Sequence, residues 1–253
     1  MSENEIQFEI PDNNQKIWRY MDFSKYIDLL ITSELHFARA DMFQDPFECS
    51  FAVFQDERAR KAFLNNADIK EKYKELHNLC KLFVYLNCWH INDVQSAALW
   101  KLYSENKYET IVIQSTFEKL KSEIVSSHSM ICLSNVKYDP NHAGTPIPNN
   151  PTVRSFAGEE KIIYKRKSFE HEKELRAFIY NGEDEINAAE SGYKVEQLKI
   201  QRPEYIRIKV TLSNLIEKIY VSPLANDLFV ELVKKVSGDL RDRVLKSDLY
   251  ELY

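Results

Sequence analysis

Apolar positions along this chain repeat with two different periods, and the switches between them mark the elements. Lys16–Met21 reads as a short strand, Asp22 as a helix cap, and Phe23, Tyr26, Ile27 and Leu30 as one stripe of the helix that follows. Leu35–Ala38 is a second strand, and Asp45-Pro46-Phe47-Glu48 a turn, since Pro46 bars Asp45 from helical geometry. The charged, periodic stretch Asp56–Leu79 predicts one or two surface helices, and Leu82–Cys88 a buried strand. Asp93 is placed to cap a helix carrying Leu99, Trp100 and Tyr103. Thr110–Gln114 is β-branched and strand-like, with Ser115 and Glu118 as a capping box for a helix through Ile124. Met130–Tyr138 predicts another strand, and Gly144–Pro151 a loop. Leu175–Tyr180 and Tyr205–Val210 alternate with period two. Ile219–Pro223 is a strand leading into an amphipathic helix with Leu228, Leu232 and Val236.

Short alternating strands interleaved with helices predict an α+β fold, with a mixed, mostly antiparallel central sheet of short strands flanked by helices. The expected layout is a polar N-terminal leader over residues 1–15 and a single domain over 16–253, with a loop insertion near 139–160. At 253 residues and 44% hydrophobic, the chain can bury a sizeable core. Only 5 glycines and 8 prolines argue against a collagen-like chain or a glycine-built phosphate loop. A net charge of −5 removes broad electrostatic binding to nucleic acid, while leaving room for a local basic groove. The acidic start, the absence of a ~20-residue apolar run and four scattered cysteines lead to the expectation of a reduced cytoplasmic protein with no membrane partner.

Three short motifs could carry chemistry. Arg19 and Tyr20 occupy opposite faces of the first strand, and an arginine facing a cleft suits phosphate or carboxylate. Ser96, Trp100 and Tyr103 are spaced by four and three, so they share a helix face on which a flat ring could rest. Glu172, Glu174 and Arg176 alternate at the entry to a strand, and three ionisable groups beside an apolar run need partners or a task. Each has a plainer reading: Trp18, Tyr20 and Trp100 as core, and the charged run as a self-paired edge. Cys88 and His90 could touch one metal but lack further ligands, so no metal is expected.

Taken in order, Trp18-Arg19-Tyr20, Asp45-Pro46-Phe47-Glu48, Cys88-Trp89-His90 with Trp100 to Tyr103, and Phe169 to Arg176 resemble the bacterial family called domain of unknown function 2971. Some members of that family are labelled abortive phage infection proteins. The resemblance spans about residues 16–236, with Gln95 where the family pattern has Glu and Leu175 where an aromatic is common. More distantly, the opening strand–helix–strand and the late Glu-x-Glu resemble ADP-ribosyltransferase folds. That likeness implies an NAD-using ADP-ribosyltransferase-like enzyme, an anti-phage effector modifying a protein or a nucleic-acid base. Glu174 and Glu172 would be catalytic. Arg19, Tyr20, Trp100, Tyr103, Ser96 and Arg176 would bind NAD, and a partner protein would come from the same operon. The alternative is a non-catalytic ligand-sensing or protein-interaction module.

Overall fold

The computed structural model describes residues 8–49, 65–103, 106–127, 131–139, 159–192 and 194–252. The elements run β1 (Lys16–Asp22), α1 (Phe23–Thr32), β2 (Glu34–Arg39), α2 (Ala67–Lys81), β3 (Val84–Ile91), α3 (Ala97–Leu102), β4 (Thr110–Thr116) and α4 (Phe117–Ser127). They continue with β5 (Ile131–Asn135), β6 (Lys137–Asp139), α5 (Glu160–Ile163), β7 (Tyr164–Arg166), β8 (Glu174–Tyr180), α6 (Gly182–Glu190) and α7 (Val195–Gln201). The last are β9 (Tyr205–Lys209), α8 (Leu212–Leu215), β10 (Lys218–Val221), α9 (Asp227–Val236) and β11 (Val244–Lys246).

Nine of these strands form one sheet in which, among the described residues, β10–β11 is the parallel pair and the others run antiparallel. The expected α+β architecture with a mostly antiparallel sheet is therefore what the chain adopts. One face of the sheet, carrying Ile17, Met21, Trp89, Ile111, Ile113 and Leu175, packs against Tyr26 and Leu29 of α1, Phe117, Leu120 and Ile124 of α4, and Val230 and Val233 of α9. The opposite face carries Trp18, Tyr20 and Val112 under Leu99 and Trp100 of α3.

The sheet forks along one edge of β3. Strand β1 meets β3 at Ile17↔Ile91 and Trp18↔His90, then follows β4 to Asp22↔Thr110. Strand β2 meets β3 at Ala38↔Leu86 and Arg39↔Tyr85, and otherwise follows β9. Between these contacts Asn87, Cys88 and Trp89 have no strand neighbour on that side, because β1 and β2 diverge. Side chains take over the bonding there: Arg19 Nη1 donates to the Cys88 carbonyl at 3.1 Å, and Asn87 Nδ2 to the His36 carbonyl at 2.8 Å.

Several boundaries differ from the sequence pattern. Ser96, not Asp93, caps α3, its Oγ accepting from the Leu99 amide at 3.4 Å. Ser115 lies inside β4 and donates to the Leu215 carbonyl at 2.5 Å, so Thr116 Oγ1, accepting from the Lys119 amide, opens α4 instead. The expected strand 130–138 is two strands with a break at Val136. In α9 the stripe Leu228, Leu232 and Val236 faces outward, Leu228 being 81% exposed, while Val230 and Val233 take the core side. Within the polar leader, Phe8 packs edge-on against Phe178 at 5.6 Å, and the carbonyls of Asn13 and Gln15 accept from the first amides of α4. The loop at 144–151 and the charged stretch up to residue 64 lie outside the described residues.

Candidate active site

A lysine with three carboxylates around it lies on the face of the sheet opposite the main core, where β8 begins. Lys165, in β7, places its Nζ 2.6 Å from Glu172 Oε2, 3.1 Å from Glu174 Oε2 and 3.6 Å from Glu48 Oε2. Arg176 closes the other side. Its Nε donates to Glu174 Oε1 at 2.8 Å, one Nη to Glu174 Oε2 at 3.2 Å and to Glu48, and the other Nη to the Ile162 carbonyl.

Local structure explains the convergence. Glu174 and Arg176 alternate on β8, so both point to the face opposite the main core. Glu172 ends a 3-10 turn (Lys167–Glu172) and is joined to β8 by Lys173 in a left-handed conformation at φ 40. That kink turns the Glu172 carboxylate onto the same lysine. Glu48 is delivered by the turn at Asp45–Glu48, whose amide bonds to the Asp45 carbonyl at 3.0 Å. Lys81 holds the turn by donating to the Pro46 carbonyl at 2.8 Å, and Arg166 by donating to Asp45 Oδ1 at 2.7 Å.

The two neighbouring carboxylates titrate in opposite directions. Burial works against the Glu174 anion, but Arg176 and Lys165 overcome it and bring its pKa down to about 2. For Glu172 burial prevails: with Lys165 opposing it and Glu174 adding repulsion, the pKa rises above the ordinary carboxylate range. Burial pulls Lys165 down, yet Glu174, Glu48 and Glu172 together raise it well beyond a free lysine. Three carboxylates against two cations leave a formal charge of −1. Fixed ammonium and guanidinium groups fill the space a metal ion would need, and among the described residues no group of three or more His, Cys, Asp and Glu is placed to hold one.

Two phenols and a thiol complete the surroundings. Tyr138 Oη accepts from the Glu174 amide at 2.8 Å, and burial followed by Glu174 raises its pKa. Tyr103 is 46% exposed; burial of its hydroxyl, then Glu172 and Glu174, push its pKa up. The Cys88 thiol bonds to the Glu174 carboxylate, and burial followed by that charge raises its pKa well above a free thiol.

Of the residues singled out in the sequence, Glu172, Glu174, Arg176 and Tyr103 come together here. Arg19 lies in the fork, over the Trp89 ring at 5.9 Å, where burial lowers its pKa while Cys88 and Tyr103 oppose that shift. Tyr20, Ser96 and Trp100 form a packed cluster beside the site. Trp100 is 4% exposed and stands edge-on to Tyr20 at 5.5 Å, with its Nε1 donating to Gln95 Oε1 at 3.2 Å. Tyr20 Oη accepts from the Ser96 amide at 2.8 Å. These rings are consumed by packing, and what Trp100 does expose lines a cavity of 300 Å³ with Lys101, Lys107 and Tyr250, away from the carboxylates. Their part is to hold α3 so that Tyr103, at its end, reaches the acidic cluster. The sequence reading does not single out Lys165, and Glu48 enters it only as the end of the Asp45–Glu48 turn. The pairing need of Glu172, Glu174 and Arg176 leaves one negative charge over and could have pointed to a cation such as Lys165; no sequence signal points to Glu48.

No family model matches the sequence, and no curated protein matches it; the likeness to the domain of unknown function 2971 rests on its motifs. Among the described residues no helix is long and apolar enough to cross a membrane. Among solved structures, Thermus sp. 2.9 DarT in complex with ADP-ribosylated single-stranded DNA is similar over 95% of this chain and 98% of its own, at 10% identity and a TM-score of 0.36. A likeness at that level carries neither a fold assignment nor a residue-by-residue correspondence.

Proposed function

We propose that this chain is an NAD-dependent ADP-ribosyltransferase whose chemistry is carried by Glu172 and Glu174. The observation behind this reading is the pair itself: two carboxylates two residues apart, held by one lysine, with pKa values driven in opposite directions. Divergent carboxylates of this kind divide labour between a fixed charge and a proton carrier. When the nicotinamide–ribose bond breaks, its electron pair leaves with the nicotinamide and positive charge builds on the ribose. Glu174, ionised down to about pH 2, supplies a permanent counter-charge to that cation. The acceptor's lone pair then bonds to the ribose carbon, and Glu172, at the rim with 12% of its side chain exposed, takes the acceptor's proton. Tyr103 is the exposed ring against which nicotinamide would rest, whereas Arg19 pairs with Ile113 and covers Trp89 on the core face of the sheet, opposite the carboxylates, and has no part in holding the pyrophosphate. The acceptor is a macromolecule, either a protein or a nucleic-acid base. A role as an anti-phage effector with an operon partner follows from the motif resemblance alone.

One observation favours the non-catalytic alternative. Glu174 is 5% exposed, and both its oxygens are already bonded to Arg176 and Lys165. The cluster would then anchor a ligand-sensing or interaction module. Following nicotinamide release from NAD, with cell lysate as a source of acceptor, separates the two. On the transferase reading Glu174→Gln loses about 10²-fold of the rate. Release that persists unchanged in the variant removes Glu174 from the mechanism, and NAD binding without release favours the module.

A further inference from the structure

Helix α9 turns two apolar faces in different directions. Val230 and Val233 enter the main core, and Phe229 packs edge-on against Phe23 of α1 at 5.1 Å. Tyr26 Oη meets Ser237 Oγ at 2.7 Å and fixes the end of the helix against α1. Away from the core, Leu228, Leu232 and Val236 remain 81%, 43% and 36% exposed. They are spaced by four, so they form one ridge along the whole helix. Single exposed leucines are ordinary on a protein surface. A continuous apolar ridge on a helix that already buries another face marks a surface for a partner.

The charges beside the ridge define that partner. Glu231 and Lys235 flank it with the same four-residue step, and Asp227 precedes them, so the helix is acidic at its start and basic at its end. Glu231 meets Lys234 of its own turn at 2.8 Å, and Asp227 meets Lys246 at 3.9 Å, while Lys235 has no carboxylate partner among the described residues. Two α9 helices laid antiparallel with Leu232 at the centre set Leu228 of each against Val236 of the other. Glu231 of each then lies beside Lys235 of the other, twice over by symmetry. A parallel arrangement would instead bring Glu231 to Glu231 and Lys235 to Lys235. Ridges with this four-residue step interlock in the commonest class of helix packing.

We propose that α9 is a homodimer interface, with two copies of this chain docking ridge to ridge about a two-fold axis at Leu232. Ten helical residues span only about 15 Å and offer less than the roughly 800 Å² per partner of a standard interface. The association is therefore weak and concentration-dependent, in the micromolar range. Helix α9 packs on the face of the sheet opposite the Lys165 cluster, so both copies keep their carboxylates clear of the contact. The inference is independent of the transferase reading.

The test is sedimentation velocity on the full chain from about 1 to 500 µM. A reversible shift from monomer to dimer is expected over that range. Leu232→Glu places two like charges at the axis and is expected to stay monomeric throughout, with the melting temperature of the wild type because the position is already open to solvent. Should that variant fail to fold, Leu228→Glu, at the most exposed point of the ridge, takes its place. Glu231→Lys and Lys235→Glu are each expected to weaken the dimer about tenfold, and the two together to restore it. A wild-type chain that stays monomeric at the highest concentration overturns the proposal, as does a dimer that the ridge variant leaves intact. A dimer that neither charge exchange weakens, or that the double exchange fails to restore, overturns the antiparallel docking.

Discussion

Two buried ionic groups lie near each other in this fold, and they are built differently. Lys161 and Glu185, each 1% exposed, form a closed pair: the ammonium meets both carboxylate oxygens, at 2.6 and 2.5 Å, beside the Tyr180 ring at 4.7 Å. The charges cancel. Around Lys165 and Arg176, by contrast, three carboxylates exceed two cations, one carboxylate reaches the rim, and a half-exposed tyrosine stands next to it. A pair that balances needs nothing further, and replacing it by apolar groups of like volume often costs little. A cluster carrying a surplus negative charge calls for a proton or a positive charge from outside, which is what a developing ribosyl cation would bring.

The contrast can be broken at several points. The largest effect belongs to Arg176→Ala, which strands Glu48 and Glu174 together. It is expected to cost about 3–5 kcal/mol or more in chemical denaturation, and a loss below about 1 kcal/mol would show the cluster to be solvated. Lys161→Met leaves a single buried carboxylate and is expected to cost about 3–5 kcal/mol, while the double change Lys161→Met with Glu185→Leu recovers most of it. Recovery by a corresponding double change at Lys165 and Glu174 would erase the distinction.

Acid sensitivity comes next. The folded pKa of Glu174 is about 2, below its unfolded value near 4.3, so the native state binds fewer protons than the unfolded chain in that interval. The stability it contributes is therefore complete above about pH 4.3 and drains away as pH falls towards 2. Glu174→Gln should flatten the fall in melting temperature over that window, and an unaltered slope would place the charge elsewhere. Glu172 has the opposite sign. Its folded pKa is raised, so its ionisation as pH rises through that value disfavours the native state, and Glu172→Gln is expected to leave stability at pH 7 unchanged or slightly improved. The same variant should lower ADP-ribose transfer by about 10²-fold. A stability loss as large as that of Arg176→Ala would make Glu172 a structural member of the cluster.

What could be read from the chain follows the range of each interaction. Strand β8 and the turn at Asp45–Glu48 are set by neighbours in sequence, through period-two alternation and the restriction before Pro46, and both were legible. Glu172, Glu174 and Arg176 were legible as a group because their charge sits awkwardly beside Leu175 and Ala177. Their partners were not, since Glu48 reaches Arg176 across 128 positions and no local rule links them. In α9 the sequence offers two apolar stripes, Leu228, Leu232 and Val236 or Phe229, Val230 and Val233, and only the sheet beneath chooses the second. Trp100 shows the reverse error. An exposed platform and a core anchor look identical in spacing, and the edge-on contact with Tyr20 settles its place inside.

The fork along β3 has a mechanical consequence. Elsewhere the nine strands are stitched by backbone ladders that yield only cooperatively. At Asn87–Trp89 the seam is fastened by one guanidinium and one carboxamide, which can let go singly. The two wings, β1 with β4 on one side and β2 with β9 on the other, are thus panels sharing a spine. One core beneath, with α1 packed on both, holds the wings together, and the arginine at the seam is the clasp where the ladder is missing.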